Sequence, residues 1–245
     1  MRILQFSGSN ENVLRHVEAV AIEISPDLVI CTALSAASAT GEEYRALANR
    51  FARLGMDYLV LPGRNDDASL FFAAFGRRYR IDRGHPYLDR FVRAGGATLL
   101  LVDARDGTLV EQQQRWLEST LTDVAAAIAR GDRTGPVILC TQTAAHTETA
   151  GSLRSVLSSL AAAGFFGDAV STAENGSSRP DTQVPVAIVA AGTDEDDLPR
   201  ASRADSAGSS GFAVYTTGPG AVRLIDLDPC GGITTTVRKS DGRQD

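Results

Sequence analysis

Leu59-Val-Leu-Pro-Gly-Arg-Asn-Asp-Asp67 joins an apolar run to four polar residues through Pro62-Gly63. A buried strand that delivers a loop to the rim of a sheet has this form, and such rims are where sites are usually built. Working outward, the same rhythm recurs on both sides. Upstream, Thr40-Gly-Glu-Glu43 reads as a capping box that opens a helix. The buried stripe of that helix is Tyr44, Leu47, Phe51 and Leu54, and Gly55 is its stop. Earlier still, Met1 to Phe6 and Asp27 to Thr32 read as buried strands around a helix with Val13, Val17, Val20, Ala21 and Ile24 at helical spacing. Pro26 ends that helix. The loops after these strands are Ser7-Gly8-Ser9-Asn10 and the small, hydroxyl-rich Ala33 to Ala39.

Downstream, Ala68 to Phe75 reads as a short helix and Gly76 to Gly96 as a long, basic, irregular connection. Thr98 to Val102 is a buried strand ending at Asp103, followed by a long helix from about Val110 to Arg130. Val137 to Cys140 is a strand, and Leu153, Val156, Leu157 and Leu160 mark a helix. Asp168 to Ser171, Val184 to Ala191, Phe212 to Thr216, Val222 to Asp226 and Ile233 to Val237 complete the strands. Strands alternate with helices first and dominate later, which predicts a parallel-leaning α/β core extended by hairpins. No internal repeat is present. Residues 193–211 are acidic, serine-rich and without periodicity, and read as a mobile loop inside one domain spanning residues 1–245.

The 245 residues suffice for a sizeable core, and 43% hydrophobic with 22% charged content is ordinary for a soluble globular chain. A formal charge of -6 argues against nucleic acid and acidic membranes as partners. Arg77, Arg78, Arg80 and Arg83 read as a solvated basic loop, and Asp194 to Asp197 as a solvated acidic face. The three cysteines, Cys31, Cys140 and Cys230, match no zinc or redox spacing. With no apolar leader and no run of the roughly 18 residues a membrane helix needs, a cytoplasmic location is expected.

Several stretches together resemble the calcineurin-like metallophosphoesterases, and within them the bacterial class III cyclic-nucleotide phosphodiesterases. They are Arg2-Ile-Leu-Gln-Phe-Ser7, Pro26-Asp-Leu-Val-Ile-Cys-Thr32, Gly41-Glu-Glu-Tyr-Arg-Ala-Leu47 and Leu61-Pro-Gly63 through Asp66. Leu101-Val-Asp103, Gly107-Thr-Leu109, Gln114-Arg-Trp-Leu117 and Ala191-Gly-Thr193 follow in the family's order. The resemblance implies a four-layer α/β/β/α sandwich, two mixed sheets packed face to face with helices outside. It also implies a two-metal phosphoesterase centre, with motifs patterned D-x-H, G-D, G-N-H-D/E, a lone His and G-H-x-H. Such a centre needs carboxylates against the metal charge and a bridging Asp between ions about 3.5–4 Å apart.

The residues at those motifs differ from the family's ligands. Gly8-Ser9-Asn10 stands at D-x-H, Ala33-Leu34 at G-D, and Gly63-Arg64-Asn65-Asp66 at G-N-H-D. Thr141 or Gln142 stands at the lone His, and Thr172-Ala173-Glu174-Asn175 at G-H-x-H. The three histidines, His16, His85 and His146, miss every motif. His16 is expected on the exposed side of its helix and His85 in a surface loop, while a shifted loop would bring His146 toward the pocket.

The expectation is therefore a degenerate member with no catalytic residues, no metal and no cofactor, serving as a structural or protein-interaction subunit that binds another protein or itself. One alternative is a metal-free binder of a phosphate-like anion or nucleotide, its relic pocket drawn from Ser7, Ser9, Asn10, Arg64, Asn65, Asp66, Gln142 and Asn175. Arg64 supplies planar cationic donors for such a ligand, unless a salt bridge to Asp66, Asp103 or another local carboxylate takes them. Backbone amides of the loop Ser7 to Asn10 add anion affinity. Another alternative is a weak phosphodiesterase rebuilt around Asp66, Asp103 and His146. Asp66 is expected to cap the following helix, with Asp67 as the competing cap.

Overall fold

The computed structural model describes residues 1–76, 88–105, 109–130, 132, 136–142, 186–191, 212–217, 220–227 and 233–239. The expected helix at Leu153 to Leu160, the strand Asp168 to Ser171, the loop 193–211, the arginine cluster 77–83, Cys230, His85, His146 and Asn175 lie outside the described residues.

Two five-stranded sheets form the frame. Sheet A contains β1 (Arg2–Phe6), β2 (Leu28–Cys31), β3 (Asp57–Val60), β9 (Ala221–Leu227) and β10 (Ile233–Lys239) in the order β10-β9-β1-β2-β3. β1, β2 and β3 run parallel, while β9 is antiparallel to both β1 and β10. Sheet B contains β4 (Arg90–Ala94), β5 (Ala97–Val102), β6 (Val137–Thr141), β7 (Val186–Ala191) and β8 (Phe212–Thr217) in chain order. Its last four strands are parallel, and β4 is antiparallel to β5. Helices α1 (Glu11–Ile24) and α2 (Gly41–Arg53) connect the parallel strands of sheet A, α3 (Ala68–Phe75) lies between β3 of sheet A and β4 of sheet B, and α4 (Glu111–Ala129) joins β5 to β6. Two mixed sheets flanked by helices are the expected sandwich.

The strands that read as unbroken apolar runs are buried on both faces, as parallel strands between layers must be. One face of sheet A carries Phe6 and Tyr58, and both rings pack against Phe51 of α2. The opposite face carries Ile3, Ile30 and Leu59, which share one buried cluster with Leu99, Leu101, Ile138 and Cys140 of sheet B. Leu99 pairs with Ile138 and Leu101 with Cys140, so these four lie on one face. Leu100 and Leu139 lie on the other, which is left for α4 and its buried Leu117, Leu121 and Val124.

The interval Gly76 to Gly96 is not wholly irregular, because β4 lies within it. Its arginines disguised it: Arg90 and Arg93 flank Phe91 and Val92 in a half-exposed edge strand, where charge protects the edge. Cys31 and Cys140 are buried and free, and burial pushes both thiols up, Cys140 to about 12. Among the described residues no helix is long and apolar enough to cross a membrane.

Candidate functional site

Three loops meet at the end of sheet A where β1, β2 and β3 finish. Their common point is Asp66, which is 7% exposed. Its Oδ1 accepts from the amide of Ala36 at 2.7 Å and from the Tyr44 hydroxyl at 2.9 Å. Its Oδ2 accepts from the amides of Ser35 at 3.0 Å and Gly63 at 2.5 Å. A carboxylate has about four acceptor positions, so these four donors use them all.

The expected helix cap therefore belongs to the competing residue. Asp67 caps α3, its side chain accepting from the Leu70 amide at 2.9 Å. The Asp67 amide in turn donates to the Tyr44 hydroxyl at 3.0 Å. Sequence spacing offers both aspartates as caps, and Asp66 is drawn away because four donors converge on it, those of Gly63 and Tyr44 buried and those of Ser35 and Ala36 part-buried.

The loop after β2 is fixed by a second carboxylate. Glu43 accepts from the amides of Ala37 at 2.7 Å and Ser38 at 2.8 Å, and from the Ser38 hydroxyl at 2.5 Å. Four consecutive amides, Ser35 to Ser38, thus point at two carboxylates of the same chain. Burial pushes the Glu43 carboxyl up, but the Ser38 hydroxyl and the amides of Ser38, Ala37 and Ala39 outweigh it and hold the group below its ordinary value. Only half of the expected capping box forms. The Thr40 hydroxyl accepts from the Glu43 amide at 3.3 Å, while the Glu43 side chain turns to the loop instead. Burial, then the neighbouring Asp66, pushes the Tyr44 hydroxyl well above its usual range, so it stays a donor.

Gly63 lets the two loops touch. A Cβ there would sit 2.6 Å from the Ser35 amide nitrogen and 2.8 Å from its Cα, and would also strike its hydroxyl. Leu34 is fully buried, its amide donating to the Leu61 carbonyl at 3.0 Å, and it belongs to the main core cluster.

The remaining expected pocket residues divide. Gly8 donates its amide to the Ala33 carbonyl at 2.6 Å, so this amide of the first loop is taken. Ser9 donates to the Ser35 carbonyl at 2.8 Å, tying the first loop to the second. Asn10 caps α1, accepting from the Val13 amide at 2.9 Å. Ser7 is buried. Arg64 and Asn65 are exposed, and Arg64 forms no ion pair with any described residue, contrary to the expected bridge to Asp66 or Asp103. That expectation failed because Asp66 is filled by amides and Asp103 by its own neighbours.

Gln142 belongs to a separate network at the end of sheet B. Its Oε1 accepts from the Ala104 amide at 2.7 Å and its Nε2 donates to Asp103 Oδ1 at 2.9 Å. Asp103, whose side chain is fully buried, also accepts from the Arg105 guanidinium at 2.7 Å and from the Arg105 and Leu88 amides at 3.4 Å. Gln113 braces the strand end by donating to the Asp103 carbonyl at 2.7 Å. Thr141 is 2% exposed and its Oγ1 has no hydrogen-bond partner among the described residues. His16 is half-buried rather than exposed, and its Nε2 is buried without a partner among the described residues.

Among the described residues no three His, Cys, Asp or Glu side chains form a group that could hold a metal ion. The sequence reading missed Glu43, Tyr44, Ser35 and Gly63 as parts of the site. Tyr44 left one signal, since a tyrosine on a fully buried stripe needs a partner for its hydroxyl.

The architecture is that of the metallophosphoesterase fold, two mixed sheets flanked by helices. It is similar to the structure of purple acid phosphatase PPD1 from yellow lupin (Lupinus luteus) seeds, with TM-score 0.57 and 10% identity over 100% of this chain. This chain spans 52% of that phosphatase's length. A second solved structure matches with TM-score 0.53 and 12% identity, covering 96% of this chain and 97% of the other. At such identities the likeness speaks for the fold alone. No protein-family model and no curated protein matches the sequence.

Proposed function

We propose that this chain is a catalytically silent metallophosphoesterase homologue that serves as a structural or protein-interaction subunit in the cytoplasm. Leu34 carries the reading: it stands where the resemblance places the bridging aspartate, and it is fully buried in the core. Asp66, the acidic residue of the third motif, has in the family the role of supporting a ligand rather than binding metal, and here all four of its acceptor positions are used by Ser35, Ala36, Gly63 and Tyr44. A metal ligand must instead present free lone pairs to the ion. The neighbouring positions fit a metal no better, since Leu34 is core and Asn10 is engaged as a helix cap. With no group of three metal-ligating side chains among the described residues, none of them is placed to hold an ion that would activate water or offset the charge of a phosphoryl transition state. Incubating the purified chain with excess manganese, iron or zinc and a chromogenic phosphodiester tests this. Release at the blank rate is expected, and turnover abolished by a chelator would overturn the reading.

A second reading is a metal-free binder of a phosphate-like anion or nucleotide. Arg64 favours it, as an exposed guanidinium at the rim without an ion pair among the described residues. The amides of Gly8 and of Ser35 to Ser38 cannot assist, being engaged within the chain. Calorimetric titration with phosphate and with nucleotides tests it. Binding lost in Arg64→Ala would support it, and no heat at millimolar ligand would end it.

A further inference from the structure

A cleft of about 550 Å³ lies between α1 and the C-terminal end of α2. None of the residues gathered around Asp66 lines it, and all of its wall comes from described residues. One part of that wall is apolar, made by Ala21 and Ile22 of α1, Leu54 at the end of α2, and Met56 just before β3. Ile22 is 76% exposed, far more than any other large hydrophobic side chain among the described residues. α1 buries Val13, Leu14, Val17 and Val20 in the core, so Ile22 is the large apolar residue it leaves at the cleft.

The rest of the wall is charged, and its charges are unequally used. Arg50 donates to Glu11 at 2.6 Å and to Glu18 at 2.9 Å, and Arg15 donates to Glu11 at 2.8 Å. Each oxygen of both carboxylates thus accepts from a guanidinium. Arg53, one turn beyond Arg50, is exposed and draws Glu18 only through space. It forms no ion pair with any described residue.

We propose that this cleft binds a small aliphatic carboxylate, its chain against Ile22, Leu54 and Met56 and its head on Arg53. A cavity of this size suits a small organic ligand, held on apolar walls and oriented by a few polar groups. No aromatic ring lines it, and the branched and thioether side chains present suit a flexible chain rather than a stacked ring. The charges select an anion. A cation would find both carboxylates taken, whereas the planar donors of Arg53 match a carboxylate. The proposal does not depend on the subunit reading.

The two methionines of the chain provide the test, because they lie apart. Met56 lines the cleft, whereas Met1 lies over Gly95 in the turn between β4 and β5. In the full chain carrying methyl-13C methionine, millimolar octanoate is expected to move the Met56 methyl resonance to saturation and to leave Met1 in place. Hexanoate, shorter by two methylenes, is expected to bind about four- to fifteenfold more weakly. Arg53→Gln is expected to weaken octanoate about two- to fivefold and to leave octan-1-ol unchanged, while Ile22→Ser weakens both. Both side chains are exposed, so the thermal transitions of the two variants are expected to match the parent. A Met56 signal that stays in place, one that moves together with Met1, or an Arg53→Gln variant that binds octanoate as the parent does overturns the proposal.

Discussion

Replacing Asp66 by Asn changes one oxygen to an amino group and removes the charge, with almost no change in volume. The amino group must face either the Ser35 and Gly63 amides or the Ala36 amide and the Tyr44 hydroxyl. The second orientation costs less, because the Tyr44 hydroxyl can turn its proton away. Even so, the part-buried Ala36 amide loses its acceptor, which costs about 1–3 kcal/mol. The two bonds retained at the other oxygen lose their charge assistance, which roughly halves their strength. Together these give about 3 kcal/mol, or about 6–12 °C in Tm for a chain of this size. Denaturant and thermal unfolding of Asp66→Asn measure it, with Asp67→Ala beside it as a helix-cap loss of about 1 kcal/mol. If Asp66→Asn fell within about 0.5 kcal/mol of the parent, or cost less than Asp67→Ala, the four-donor account of Asp66 would be wrong.

Gly63→Ala forces a methyl group against the Ser35 backbone and is expected to cost about 1–3 kcal/mol in the same unfolding assay. Gln142→Leu leaves the Ala104 amide without its side-chain acceptor and takes a donor from buried Asp103, a loss of about 2–4 kcal/mol. For Glu43 the folded-state pKa is depressed, so its contribution is fully present above the ordinary glutamate value of about 4.3 and fades as pH falls through the lower folded value. The stability gap between the parent and Glu43→Gln is therefore expected to hold steady from about pH 7 to about pH 5 and to close in stronger acid; a gap that widens on acidification contradicts the assignment.

The frame was legible because its signals are local. Apolar runs such as Leu28 to Cys31 and Leu99 to Val102 can only be strands buried on both faces, and Gly55 with its positive φ of 69° stops α2 where the spacing ends. β4 was hidden because an edge strand with alternating arginines has the composition of a loop. The site was legible as a place but not as a set of bonds. Asp66 and Asp67 are interchangeable as caps in sequence, and only the approach of the Ala33 to Ala39 loop, permitted by Gly63, supplies the donors that separate their roles. Glu43 satisfied the capping-box pattern and was assigned to its own helix, yet the nearby loop amides offered more donors than Thr40 did. Arg64 was expected in a bridge to Asp66, Asp103 or another local carboxylate, but Asp66 and Asp103 are buried and engaged by other donors, while Arg64 is exposed.

The most direct test is the metal content of the purified full chain, dialysed without chelator and measured by plasma mass spectrometry. Leu34, buried where the resemblance places the bridging aspartate, predicts manganese, iron and zinc at background per chain, before and after incubation with each ion. Two equivalents of metal retained per chain would contradict it.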